Sequence, residues 1–172
     1  MVLIQMCPCG SKHSYLECCG RFIESINTPF PCFPETPEAL MRSRFTAYVV
    51  KNAAYIVQTD HPSRRESGYE ADIEASFQYI TFTALKILHV ELPEYVTFCA
   101  YFTEHDLENP LKSKQGKMIE RSRFIHLLDH SDPLNTTQQG RWFYLDGQFP
   151  TQKQPCICGR TKKFKQCCGK NI

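Results

Sequence analysis

No apolar run in these 172 residues is long and uncharged enough to cross a bilayer, which excludes a membrane-spanning helix. The opening residues, Met1 to Met6, are a short apolar stub with no basic n-region and no cleavage site. A secretory leader is therefore not expected, and the chain reads as cytoplasmic. An excess of one charge is lacking too. Lys and Arg number 20 against 18 Asp and Glu, so the chain is no polycation and bulk nucleic-acid binding is disfavoured. No Ser/His/Asp triad, phosphate-cradling glycine loop or acidic metal cluster can be read from it. What remains is 42% hydrophobic and 22% charged residues, enough for one ordinary domain with small appendages.

Cysteine, by contrast, is abundant, and its placement repeats. Cys7, Cys9, Cys18 and Cys19 stand near one end, and Cys156, Cys158, Cys167 and Cys168 near the other. Both sets read C-x-C-x8-C-C-G, closed by Gly20 and Gly169. Four thiolates suit a tetrahedral zinc ion, which structural sites hold at roughly 2.3 Å from each sulfur. A disulfide framework would need an oxidising compartment, and adjacent cysteines pair only through a strained ring. The expectation is two Zn²⁺ per chain, with iron–sulfur ligation as the other use of four cysteines. Eight thiolates and two Zn²⁺ would carry the formal +2 to about −2. Arg160, Lys162, Lys163, Lys165 and Lys170 crowd the second set. They read either as counter-charge for a thiolate centre or as a docking knob formed by Lys162, Lys163, Phe164 and Lys165. Of the other two cysteines, Cys99 sits in an apolar strand and reads as core, whereas Cys32 is the candidate reactive thiol, with no basic neighbour to activate it.

Between the cysteine sets, residues 22–36 are linker-like because Pro29, Pro31 and Pro34 remove donors and fix φ. Helical signals then begin: Thr36 can cap, Pro37 suits the first helical position, and Leu40, Met41, Phe45, Tyr48 and Val49 form one stripe. Arg42, Arg44 and Lys51 fall elsewhere. Asn52 caps a second helix that His61-Pro62 ends, and a third is expected from about Tyr69 to Tyr79. The period then drops to two. Strands are expected around Leu85–Val90, Val96–Phe102, Met118–Leu128 and Arg141–Leu145, with a polar excursion over Glu104–Lys117, a long turn over Asp129–Gly140, and Asp146-Gly147 as the final stop. Helices first and an antiparallel meander afterwards give an α+β fold, helices packed on one face of a curved sheet. The boundaries are 1–21 and 151–172 for the two knuckles, 22–36 for the linker and 37–150 for the central domain.

Each cysteine set resembles a SEC-C motif, the zinc knuckle also found at the end of the SecA translocase ATPase. Leu40-Met41-Arg42-Ser43-Arg44-Phe45-Thr46-Ala47-Tyr48, Thr59-Asp60-His61-Pro62, Ile119-Glu120-Arg121-Ser122-Arg123-Phe124 and Gly140-Arg141-Trp142-Phe143-Tyr144-Leu145-Asp146-Gly147 resemble the YchJ family. That resemblance covers nearly the whole chain. It implies a SEC-C knuckle at each end of a cone-shaped domain like nuclear transport factor two, of the cystatin-like or SnoaL-like kind. This chain has Asp60 where tryptophan is common, and Ile157 and Arg160-Thr161 where proline and Ser-Gly are usual. The SecA tail contacts the SecB chaperone and the ribosome, so the resemblance implies a protein or ribosomal partner.

Three functions follow. The first is a non-enzymatic zinc protein whose knuckles bind a macromolecule. The second is a small-molecule enzyme using the cone, and the third is a nucleic-acid binder using the basic second knuckle. Strand alternation places Glu120, Ser122, Phe124 and His126 on one face, and Trp142, Tyr144 and Asp146 on one face of the last strand. A catalytic reading takes Glu120 or Asp146 as base, His61 or His126 as acid and Tyr144 as oxyanion donor. The competing and preferred reading pairs Glu120 and Asp146 with Arg42, Arg44, Arg121 and Arg123 as a structural network, because buried carboxylates are normally paired. His61 then simply ends a helix, with its ring near the last carbonyls. The preferred function is accordingly the non-enzymatic one.

Overall fold

The computed structural model describes residues 6–128, 140–157 and 160–170. The expected turn over Asp129–Gly140, apart from Gly140, lies outside the described residues, as does Cys158. The element order is α1 (Arg21–Ile23), α2 (Pro37–Val50), α3 (Ala53–Thr59), α4 (Tyr69–Ser76), then β1 (Ile80–Glu91), β2 (Tyr95–Glu104), β3 (Lys114–Leu128) and β4 (Gly140–Gln148). The strands form one antiparallel sheet in the order β1-β2-β3-β4. This is the α+β arrangement of helices against a meander. No described helix is long and apolar enough to cross a membrane.

Local chemistry sets the helix starts. Thr36 Oγ1 accepts from the Ala39 N–H at 3.1 Å, and Asn52 Oδ1 accepts from the Tyr55 N–H at 2.9 Å. Each such cap is worth about 1 kcal/mol. The sheet carries irregularities that alternation does not reveal. Thr83 and Leu88 are extra residues in β1 against β2, and Leu145 is an extra residue in β4 against β3. Such bulges bend and twist a strand, which lets the sheet curve over α2.

Two apolar clusters share α2. Leu40, Met41 and Phe45 pack on Val96, Phe98, Ala100 and Phe124 of the sheet. Ala47 joins the other cluster with Ala53, Tyr55, Ile56, Ile73 and Phe77, and this cluster also holds Cys7, Cys9, Tyr15 and Cys19. Helix α2 is thus buried well beyond one stripe: Ser43, Arg44, Thr46 and Ala47, outside the expected stripe, are buried as well. The linker reading of 22–36 also changes at its start. Phe22, Ile23 and Ile26 are buried in the same cluster, because one helical turn carries the chain straight from the cysteines into the core.

Candidate functional site

The N-terminal knuckle is built against α2. A helical turn, Leu16–Gly20, brings Cys18 and Cys19 under the loop that carries Cys7 and Cys9. All four sulfurs lie within 4.8 Å of one another. Cys9 Sγ is 3.6 Å from Cys18 Sγ, and Cys18 Sγ is 3.8 Å from Cys19 Sγ. Sulfurs at zinc–thiolate distance on a tetrahedron stand about 3.8 Å apart, so this donor set fits a soft divalent ion. Contacts from Cys19 and then Cys7 hold the Cys9 thiol below its ordinary range. The same contacts to Cys7 and Cys9, with burial, push Cys19 far up. Four crowded thiols cannot all ionise unaided, and a bound cation would remove that conflict.

Supporting groups come from α2 and from the loop itself. Arg42 Nη1 donates to the Cys9 carbonyl at 2.8 Å, while Thr46 Oγ1 lies 3.7 Å from Cys7 Sγ and Ser11 Oγ 3.2 Å from Cys18 Sγ. Such groups orient ligands and tune a metal site. Helical spacing aims Arg42 and Thr46 at the knuckle, one turn apart, but only the docked knuckle reveals that use.

In its described residues the C-terminal knuckle repeats two backbone hydrogen bonds of the first. Cys7 N–H donates to the His13 carbonyl at 2.9 Å, and Cys156 N–H to the Lys162 carbonyl at 2.9 Å. Gly20 N–H donates to Tyr15 and Gly169 N–H to Phe164, at 2.7 and 2.8 Å. Cys18 (φ −108°, ψ −106°) and Cys167 (φ −125°, ψ −109°) share one backbone conformation. A Cβ on Gly20 would lie 2.9 Å from the Tyr15 ring, and one on Gly169 would lie 2.7 Å from the Phe164 ring. The closing glycine in each motif therefore seats an aromatic ring. Phe164 is buried in this way, which corrects its assignment to the docking set, whereas Lys162, Lys163 and Lys165 are exposed. Cys156, Cys167 and Cys168 bring their sulfurs within 4.8 Å of one another. Neither Cys156 nor Phe164 joins either core cluster. Metal analysis of protein purified without chelator is expected to return two ions per chain, and about one for Cys168→Ser. One ion or none in the unaltered protein would refute the paired sites.

The cone interior separates two buried carboxylates. Asp60, fully buried, ends α3 beside β4, where the His61 N–H donates to the Tyr144 carbonyl at 2.8 Å. Its Oδ1 meets Arg44 Nη2 at 3.0 Å and Arg64 Nε at 3.6 Å, and its Oδ2 accepts from Tyr69 at 2.9 Å. Arg44 also donates to the Ile56 carbonyl and to Thr59 Oγ1, both at 2.8 Å. Arg42 pairs with Glu38, Arg121 with Glu91 and Arg123 with Glu94. The structural arginine network therefore exists, but Asp60 is its buried member and Glu120 is not in it.

Glu120 is only 6% exposed, yet among the described residues no cationic nitrogen lies within ion-pair distance. Its Oε1 accepts from Ser122 Oγ at 2.7 Å and from Tyr144 OH at 2.9 Å. Burial first, then the nearby Glu120 charge, pushes the Tyr144 phenol above its ordinary range, so it serves as a donor. A Cβ at Gly147 would collide with the Glu120 carboxylate. That explains why β4 runs through Asp146-Gly147 instead of stopping there: the glycine makes room for Glu120 and is no turn. A chamber of about 280 Å³ opens beside them, lined by Glu120, Ser122, Tyr144, Arg44 and an apolar wall.

The remaining candidates stand outside that lining. The Leu145 bulge turns Asp146 to the face of Arg123, its register partner, and Asp146 is exposed. His126 is exposed and packs edge-on against Trp142 at 5.0 Å, while Trp142 Nε1 donates to the Glu35 carbonyl. His61 caps the following turn, its Nδ1 accepting from the Ser63 N–H at 3.2 Å, and does not cap the preceding carbonyls. Cys99 is buried and Cys32 exposed. Tyr69, Arg64 and Asp60 are polar members that sequence reading missed. Only Asp60 carried a signal, its place in the Thr59-Asp60-His61-Pro62 stretch.

Comparison with known proteins agrees with this geometry. A family model described as "YchJ, middle NTF2-like domain" matches residues 36–147. A UPF0225 protein of Enterobacter sp. (strain 638) is 36% identical over 174 residues, covering 97% of this chain and 99% of that protein. Another, from Photorhabdus laumondii subsp. laumondii, is 34% identical over 181 residues, covering 97% and 100%. The crystal structure of a SEC-C motif containing protein from Psychrobacter arcticus is 27% identical, with a TM-score of 0.62 and 98% of each chain covered. The solution structure of RPA3114, a SEC-C motif containing protein from Rhodopseudomonas palustris, is 28% identical, with a TM-score of 0.64, over 85% of this chain and 99% of that one. With a four-cysteine centre built into its first helices and the motif repeated after its sheet, the chain belongs to the YchJ (UPF0225) family.

Proposed function

We propose that this is a zinc-binding, non-enzymatic accessory protein of the cytoplasm whose C-terminal knuckle docks onto a protein or ribosomal partner. The observation that carries the reading is the contrast between its two ends. In the N-terminal set Cys9 and Cys19 are 0% and 1% exposed and share a cluster with Tyr55 and Ile56, so that knuckle is spent on stability. The described residues of the C-terminal one contribute to neither cluster, and Lys162, Lys163, Lys165 and Lys170 around it face solvent. A compact, metal-held loop with four outward ammonium groups favours a negatively charged surface, through steering and screened attraction. Four clustered thiolates favour zinc among common divalent ions.

The test compares the full chain with K162E/K163E/K165E. Ribosome co-sedimentation and affinity capture at physiological salt should both fall at least ~10-fold in the triple variant. Equal recovery of both proteins would overturn the docking role. Recovery lost on nuclease treatment, with the protein partner gone as well, would instead support the nucleic-acid reading.

A further inference from the structure

We infer that the chamber between α2, α4 and the sheet binds a small organic amine, whose cationic head is held by Glu120 and whose apolar body lies against the aromatic wall. The charge inventory leads to this class. Arg44 and Arg64 both reach the chamber, but both are engaged by Asp60, and their guanidinium groups lie over the Tyr144 ring at 4.7 and 5.1 Å. Glu120 has no such counter-ion among the described residues. Its two hydrogen bonds both fall on Oε1, from the neutral hydroxyls of Ser122 and Tyr144. Among the described residues the second oxygen, Oε2, takes none and is not sealed off, and Glu120 lines the chamber.

A carboxylate this buried normally has a cationic partner, since desolvating the charge is costly. Among the described residues the protein supplies two neutral donors to one oxygen and no cation, and a ligand ammonium would supply that charge. Gly147 adds a second sign of a built site, because any side chain there would displace the carboxylate from its position.

The rest of the lining selects the body of the ligand. Phe45, Phe77, Phe82, Phe98, Met41 and Met118 form an apolar wall. Phe82 packs edge-on with both Phe45 and Tyr48, at 5.8 and 5.4 Å, which stiffens one side. The two methionines adapt easily to shape. A volume of about 280 Å³ lies at the small end of ligand sites, fitting a single ring or a short branched chain, too little for a nucleotide. A hydrated inorganic cation would find no other charged oxygen free and would leave the aromatic wall uncovered. The chamber and the C-terminal knuckle share no residues, so either can fail without the other.

The experiment titrates the full-length, metal-replete protein with 2-phenylethylamine, 2-phenylethanol and 3-phenylpropanoate, followed by heteronuclear NMR and calorimetry. The amine is expected to bind at least ~10-fold more tightly than the alcohol, with the acid weakest, and shifts should centre on Glu120, Tyr144 and Ala100. Glu120→Gln keeps the shape and the oxygen that Ser122 and Tyr144 address, and should abolish the preference for the amine. Ala100→Leu fills the chamber while leaving Glu120 in place, and should remove binding of both amine and alcohol. Equal binding of amine and alcohol, tighter binding of the acid, or no response to any of the three would overturn the proposal. So would a preference for the amine that survives Glu120→Gln.

Discussion

Cys19→Ser is expected to lower the melting temperature of the whole central domain by more than ~10 °C, whereas Cys168→Ser should move it by less than ~2 °C. The reason is burial. Cys9 and Cys19 lie in the same cluster as Tyr55, Ile56, Ile73 and Phe77, and Arg42 and Thr46 of α2 reach across to the knuckle. A metal held by four thiolates contributes much of the folding energy of so small a loop, and here that loop forms one wall of the core. Chelation of the unaltered protein should reproduce the Cys19→Ser melt. The decisive measurement is a thermal melt followed by circular dichroism with metal content assayed in parallel. If the Cys19→Ser protein loses one metal yet melts like the unaltered chain, the N-terminal knuckle is an appendage after all.

Arg44→Ala is expected to cost about 3–5 kcal/mol in urea unfolding, because it strands a fully buried Asp60. Arg44 makes three hydrogen bonds, to Asp60, Thr59 and the Ile56 carbonyl, and packs on Tyr144. Arg64 cannot take over: its side chain is 38% exposed and its contact with Asp60 is 3.6 Å, so solvent screens much of that attraction. Arg44→Lys should fall between, since a lysine keeps the charge without the planar fork that addresses three acceptors at once. A cost for Arg44→Ala below about 1 kcal/mol would show that Arg64 and Tyr69 suffice for Asp60.

The cone carries its lesson in particular residues. Helix starts at Thr36 and Asn52 were legible because a cap is a local contact, made within three residues. The strand faces of Glu120, Ser122 and Phe124 were legible because pleating has period two. Asp146 was misplaced because the bulge at Leu145 shifts the period by one residue, and bulges answer to sheet curvature that no local pattern records. Glu120 was assigned to an arginine network because the chain has enough arginines nearby in sequence. Which carboxylate they reach depends on where α3 crosses β4.

The repeated cysteine spacing determined by itself that the described cysteines of each end gather into one kind of knuckle, since ligand spacing and turn geometry lie within some fourteen residues. Its aromatic seat belongs to the same local set, with Tyr15 and Phe164 at matching positions under Gly20 and Gly169. Only the tertiary structure decided that the two knuckles differ, the first closed into the core by α2 and the second, in its described residues, outside both clusters with its lysines outward. Burial is a property of what covers a motif, and those covering residues lie tens of positions away along the chain.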